Sequence, residues 1–339
     1  MPLSPGEPAP WFRGSTLSNP EFTFDSVAGR YVLLAFLPST DAQRLIALRA
    51  LAANQAMFDD ARISAFAVVG DEQTLAGARD MNGLRWVIDL DGAVTSQFKA
   101  PTAWLLLDPT LRVLRPFELS ETEALFACLA SLPPVAEHAG AATPAPVLIA
   151  PRIFEPGLCA RLVALHAETA GTFTGVMRDR GDTTHYVMDE LKSRRDVLVH
   201  DEGLLTAIRE RLERRLFPLI ARAFSFEATH IERYLVSCYA ADDGGVFHAH
   251  RDNTTFGTAH RRFAASINLN DDYAGGDLRF AEFGPQTYRP PLGGVCVFGC
   301  GLLHEATRVT AGARYAFLPF LYDEPGAAVR AAYRARIGE

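Results

Sequence analysis

The apolar positions follow two different patterns in the two halves of the chain. In the first half, short unbroken apolar runs alternate with stretches of helical spacing. Residues 31–37 (YVLLAFL) form a run with no polar break, the mark of a strand buried on both faces. Residues 41–58 place apolar side chains three and four apart, which predicts a helix with Asp41 as its N-cap. A strand over 63–69, a short helix after Asp71 and a strand over 85–89 follow. TAWLLLD and LRVLRPF then predict a hairpin turning at Asp108-Pro109, closed by a helix over 121–132. This order predicts an α/β sheet.

Residues 133–146 (PPVAEHAGAATPAP) are built from Pro, Ala, Gly and Thr without periodicity and read as a linker. Beyond them the pattern predicts a helix after Pro156, a polar stretch to about Val199, and a long amphipathic helix over 202–224. That helix carries Leu204, Leu205, Ile208, Leu212 and Leu216 on one face, with Pro218 expected to interrupt its last part. From Ile231 the period changes to that of strands: IERYLVSCYA, RRFAASINLN, DLRFAEF, GVCVFGC and ARYAFLPFLY, separated by Gly- and Asp-rich turns. Many short strands at even spacing predict a sandwich or barrel with helices packed on it. The expected organisation is therefore a domain over 1–132, a linker over 133–146, a second domain over 147–325 and a tail over 326–339.

Composition narrows the function classes. Of 339 residues, 48% are hydrophobic and no apolar run approaches the roughly 20 residues of a bilayer span, so a globular protein without a membrane segment is expected. The first residues carry neither a basic nor an apolar signal region. Five cysteines (Cys128, Cys159, Cys238, Cys296 and Cys300) form an odd set without CxxC pairs, which predicts reduced thiols and a cytoplasmic setting. A net charge of −7 argues against nucleic-acid binding. The Arg-rich region 178–215 holds nine basic and nine acidic residues, so it is balanced.

The densest candidate chemistry is GGVFHAHRDN, residues 244–253. A lone H-x-D arises by chance in many chains. On a strand, however, His250 and Asp252 point to one side, so an imidazole and a carboxylate face one ion. A non-haem Fe(II) site needs two His and one carboxylate, with positions left open. His304, just after an apolar strand where a polar side chain needs a reason, is the best third ligand. Ten residues on, Arg314 opens another apolar strand. A buried guanidinium there needs an anion, and a substrate carboxylate matches its fork.

This set resembles the Fe(II)/2-oxoglutarate-dependent dioxygenases, in the prolyl 4-hydroxylase-type branch. CYAADDGGVFHAHRD, INLNDDYAGGDLRF, PPLGGVCVFGCGLLHEATRV and GARYAFLPFLY carry the resemblance over residues 231–322. It implies an α+β domain with a double-stranded β-helix (jelly roll), Fe(II) on His250, Asp252 and His304, and 2-oxoglutarate as co-substrate with its far carboxylate on Arg314. Tyr239 would contribute a hydroxyl to the co-substrate. Consumption of O2, ascorbate as an accessory reductant, and hydroxylation of a peptide or small-molecule substrate are further implications.

Residues 1–132 resemble the thioredoxin fold in its peroxiredoxin branch, on PGEPAPWF, FLPST, VIDLDGAVTSQF and PTAWLLLDPTLRVLRPF. Pro101 falls where that fold carries a cis-proline. Peroxiredoxins place a reactive cysteine three residues after the Thr of their Pro–Thr motif; here Gln43 stands three after Thr40, and no cysteine precedes Cys128. Without a thiolate there is no nucleophile, so a redox-inactive domain is expected. A thiol peroxidase and a non-catalytic binding or sensing module are the competing readings. Elsewhere, His248 is expected to be exposed or to support the site, His260 to face solvent from a loop, Cys296 and Cys300 to be buried thiols, and Arg194 and Arg195 to form surface ion pairs or line a substrate entrance. The prime substrate and the oligomeric state stay open at this level.

Overall fold

The computed structural model describes residues 3–38, 40–99 and 103–338. The chain divides into two units, residues 1–145 with Ala281–Pro285, and Pro146–Phe280 with Gln286–Glu339. The first is built on seven strands: β1 (Arg13–Thr16), β2 (Phe22–Thr23), β3 (Tyr31–Phe36), β4 (Ile63–Val69), β5 (Leu84–Ile88), β6 (Trp104–Leu107) and β7 (Val113–Phe117). Their order is β2-β1-β5-β4-β3-β6-β7. The β3–β4 and β4–β5 pairs are parallel, whereas β6 and β7 run antiparallel as the expected hairpin.

Every residue of β3 and β4 is buried, because side chains on both faces of the sheet are covered. Leu33, Ala65 and Trp104 pack against Ala47 and Leu51 of helix Asp41–Ala53 and against Leu125 and Leu129 of helix Thr122–Ser131. Phe12, Phe24, Phe66 and Phe98 form an aromatic cluster, with Phe12 stacked on Phe24 at 4.8 Å. One expectation is corrected: Thr40, in extended backbone, is the N-cap of the first long helix, and Asp41 is its first residue. The Asp41 carboxylate is taken by Arg44 one turn on instead of by backbone N–H groups. That helix ends at Ala53, short of the expected 58, and a 3-10 turn over Gln55–Met57 follows. Pro101, expected as a cis-proline, lies outside the described residues.

The second unit is an antiparallel β structure with helices on one side. Its larger sheet runs His230–Ile231, Phe320–Tyr322, Phe263–Asn268, Ala313–Phe317, Leu235–Ala240, Arg195–Leu198 and Thr172–Phe173, with Val295–Gly299 and Leu148–Ala150 also joined. A smaller sheet orders Lys192–Ser193, Val246–His250, His304–Ala306, Leu278–Arg279 and Thr287–Tyr288. One face of the larger sheet packs on helices through Val236, Ile267, Val297 and Phe317 against Leu162, Ile208, Leu212 and Leu216. Its other face meets the smaller sheet. Phe298 lies 4.5 Å from His304, and the Arg194 guanidinium 5.7 Å above Phe247. Strand alternation therefore sends one set of side chains to the helices and the other to the space between the sheets.

The long amphipathic helix is helical over Glu202–Arg211 and Phe217–Phe224, with a π segment at Leu212–Leu216 between them. Pro218 has no N–H to return to the preceding turn, and the wider segment absorbs the mismatch. DLRFAEF pairs only at Leu278–Arg279 before a 3-10 turn. Two elements have no apolar signature in the sequence. A hairpin of Val176–Arg180 and Thr183–Val187 occupies the polar stretch. The expected tail is helix Glu324–Ile337, capped by Asp323 accepting from the Gly326 N–H and docked by Tyr333, whose hydroxyl accepts from the Thr184 N–H at 2.8 Å.

Candidate metal centre

His250 ends the strand Val246–His250 and stands directly opposite His304 in the antiparallel pairing of the smaller sheet. The ring centroids are 4.3 Å apart. A register shift between Phe247 and His250 bends the strand here, and two residues later the Asp252 N–H donates to the Cys300 carbonyl at 2.9 Å. Asp252 thus comes to lie between the imidazoles, with Oδ1 3.6 Å from His250 Nε2 and Oδ2 3.4 Å from His304 Nε2. One donor atom from each residue falls within 4.8 Å of the other two.

The tautomers are set by the backbone. His250 Nδ1 lies 2.7 Å from the His248 carbonyl and His304 Nδ1 3.0 Å from the Leu302 carbonyl. A carbonyl only accepts, so both Nδ1 atoms carry the proton and both Nε2 lone pairs face the shared centre. Burial, reinforced by His250, pushes His304 down to about 4, so its imidazole is neutral near pH 7. Burial alone would raise the Asp252 carboxyl, but the two histidines and Arg261 outweigh it and hold the group ionised. Two imidazoles with Nε2 turned inward and a carboxylate, with no fourth protein donor in the cluster among the described residues, are the donor set of an open Fe(II) site. Burial pushes the Cys296 thiol up to about 12 and raises Cys300 well above its ordinary value, so neither supplies a thiolate.

Arg314 is 2% exposed, on the strand Ala313–Phe317 of the facing sheet. Its Nη2 donates to Ser266 Oγ at 2.7 Å and to Asn268 Oδ1 at 3.3 Å, and Nε to the same Asn268 oxygen at 3.4 Å. Both partners are neutral. Among the described residues no carboxylate pairs with this buried guanidinium. Tyr239 sits opposite Arg314 in the strand pairing, with its ring 5.5 Å from the guanidinium carbon. Its buried hydroxyl accepts from Arg194 Nη1 at 3.1 Å.

Several residues take places the sequence did not suggest. His260, expected in solvent, is 3% exposed and 3.0 Å from Glu232 Oε2. Partly buried Glu232 needs cationic or N–H partners, and Arg261 supplies two more at 2.6 Å. Arg194 is not on the surface: it is buried and paired with Asp196 at 2.7 Å. Arg195 fits the ion-pair reading, with Nε 2.8 Å from Asp243. His248 is exposed. Ser266 and Asn268, the partners of Arg314, were missed. The available signal was their two-residue spacing inside an otherwise apolar strand, FAASIN.

Residues 234–322 match the family model of the 2OG-Fe(II) oxygenase superfamily. PKHD-type hydroxylases of Synechococcus sp. strains JA-2-3B'a(2-13) and JA-3-3Ab are each 30% identical to this chain over 123 residues, covering 34% of it and 50% of theirs. The chain thus spans about half the length of the curated relatives it matches. Among solved structures, a prolyl hydroxylase from Trichoplax adhaerens, in complex with a hypoxia inducible factor oxygen degradation domain peptide fragment, aligns at 18% identity and a TM-score of 0.41. That alignment covers 54% of this chain and 86% of the other. A Pseudomonas putida prolyl-4-hydroxylase aligns at 15% identity and a TM-score of 0.40, covering 53% and 94%.

Proposed function

We propose that the chain is an Fe(II)- and 2-oxoglutarate-dependent oxygenase that hydroxylates a C–H bond of a peptide or small-molecule substrate. The observation that carries this reading is the convergence of His250 Nε2, His304 Nε2 and the Asp252 carboxylate on one point. When bound, Fe(II) and 2-oxoglutarate supply the oxidising chemistry, in which O2 is consumed and succinate and CO2 are released. The chain's own residues do the rest. The His248 and Leu302 carbonyls fix the two imidazoles, and Asp252 would contribute the anionic ligand. Arg314, held flat by Ser266 and Asn268, offers its free edge to the distal carboxylate of the co-substrate. Tyr239, oriented by Arg194, presents a hydroxyl beside it. Facing aromatic side chains, Phe298 and Phe280 against His304, restrict water at the metal.

The catalytic domain in this reading is residues 147–325, a double-stranded β-helix. The N-terminal unit is read as a thioredoxin-like fold of peroxiredoxin type without thiol chemistry, supported by its mixed sheet and by Gln43 where a nucleophilic cysteine would stand. Incubation of purified protein with Fe(II), 2-oxoglutarate and O2, without a prime substrate, tests the oxygenase reading: slow succinate release is expected, and none from the His250→Ala, His304→Ala double variant. Equal release from both proteins rejects it. Hydrogen peroxide with a thiol reductant should give no turnover; sustained peroxide consumption would reject the assignment of the N-terminal unit.

A further inference from the structure

The space between the two sheets holds more cationic side chains than the proposed co-substrate and the local carboxylates account for. Arg194 is matched by Asp196, whose oxygens also accept from Ser237 Oγ at 2.6 Å. Lys192 shares that carboxylate at 3.5 Å, and burial together with Arg194 lowers its ammonium to about 7. Arg261 is matched by Glu232 through two contacts of 2.6 Å. Arg314 is assigned to 2-oxoglutarate. The guanidinium of Arg233, by contrast, has no ion pair among the described residues.

Arg233 precedes the strand Leu235–Ala240 and is partly buried. Its Nε donates to the Leu318 carbonyl at 3.2 Å, and its guanidinium lies over the Phe320 ring at 4.3 Å. Neither Nη atom has a hydrogen-bond or ion-pair partner among the described residues. The stacking and the Nε bond fix the plane of the group and leave one edge, with its N–H donors, open. Arg261 stacks over the same Phe320 at 3.9 Å and donates to the main-chain carbonyl of the metal ligand Asp252 at 3.2 Å. Arg233 is thus one aromatic ring away from the residue that touches the ligand loop. Burial and repulsion from Arg261 and Arg194 lower its guanidinium to about 10, outweighing the opposite pull of Glu232 and Asp196, which are already bonded to Arg261 and Arg194.

A partly buried cation without an ion-pair partner is unfavourable, and a planar guanidinium with a free edge matches a carboxylate by two parallel hydrogen bonds. We propose that Arg233 is the substrate-recognition residue of this centre and that the prime substrate presents a carboxylate to it. The proposal rests on the oxygenase reading and adds the substrate class. The carboxylate belongs to a free small acid or to an acidic residue of a peptide, and the probes separate these sources.

The test uses full-length protein loaded with Fe(II) and 2-oxoglutarate. Two probe sets are applied: N-acetyl amino acids as free acids against their primary amides, and end-blocked peptides with an internal Glu against the same peptides with Gln. Succinate release above the basal rate and calorimetric binding are both read. The expected result is that one acid set raises release at least tenfold over its neutral partner. Arg233→Met, which keeps the stem on Phe320 but removes the charge, should abolish that preference. It should leave 2-oxoglutarate affinity within twofold, and Arg233→Lys should restore part of the preference. Equal response to acids and neutral partners, no response to any acid, or an undiminished preference in Arg233→Met each overturns the proposal. Failure of the oxygenase reading shows differently, as no basal succinate release from the unmodified protein. Calorimetry of the acids against Arg233→Met then still decides the role of Arg233.

Discussion

Replacing Arg314 by Leu removes a guanidinium that is 2% exposed and, among the described residues, bonded only to the neutral groups of Ser266 and Asn268. If its charge serves a co-substrate carboxylate, the variant leaves that anion desolvated without a partner, a loss of about 2–5 kcal/mol. At about 1.4 kcal/mol per tenfold, 2-oxoglutarate affinity should fall by roughly 30-fold to 3,000-fold. Stability should not follow the same course. In the free protein the substitution removes an uncompensated buried charge, which stabilises, and strips Asn268 and Ser266 of a donor, which costs about 1–3 kcal/mol per unsatisfied group. These effects oppose each other, so the unfolding midpoint should move far less than the affinity. Arg314→Lys keeps the charge, loses the fork and should lie between the two. The assay is equilibrium titration of 2-oxoglutarate into metal-loaded protein, with thermal unfolding of each variant as a control. A 2-oxoglutarate affinity within twofold of the unmodified protein in Arg314→Leu would refute the reasoning.

Further expectations concern the metal and the buried charges. His304→Ala removes one of three donors and should abolish stoichiometric Fe(II) binding, measured by metal analysis after gel filtration, while circular dichroism stays unchanged; retained one-to-one iron contradicts the ligand assignment. Lys192 takes its proton at about 7 when folded, against an ordinary value of 10.5. Between those values the unfolded chain binds the extra proton, so stability should rise with pH from 7 toward 10.5, and Lys192→Met should flatten that slope in denaturant titrations. A variant with an unchanged slope would show that this lysine is not the source.

The sequence exposed the features that rest on unbroken or strictly alternating patterns. β3 and β4 are legible because both faces of their sheet are buried, which leaves no polar residue in YVLLAFL and only the small Ser64 in ISAFAVV. His250, Asp252 and His304 could be singled out because a strand aims positions i and i+2 together and because His304 follows an apolar strand. What stayed hidden depends on register and on partners far along the chain. Ser266 and Asn268 look like ordinary interruptions of a strand until Arg314 is placed beside them. His260 read as a loop histidine because Glu232, which draws it inward, lies 28 residues earlier. The hairpin Val176–Arg180 with Thr183–Val187 carries almost no apolar alternation, so it is defined by backbone pairing alone. The helix Glu324–Ile337 is similar, since only Gly326 of its residues is fully buried and no broad apolar stripe marks it.

The central claim is that this centre couples O2 to the decarboxylation of 2-oxoglutarate. Loss of CO2 turns the keto carbon into a new carboxyl group, whose second oxygen must come from O2 if the claim holds. Turnover of the Fe(II)-loaded protein under 18O2, with succinate analysed by mass spectrometry, reads that atom directly. The account predicts succinate carrying one 18O, dependent on His250 and His304; unlabelled succinate, or none, would contradict it.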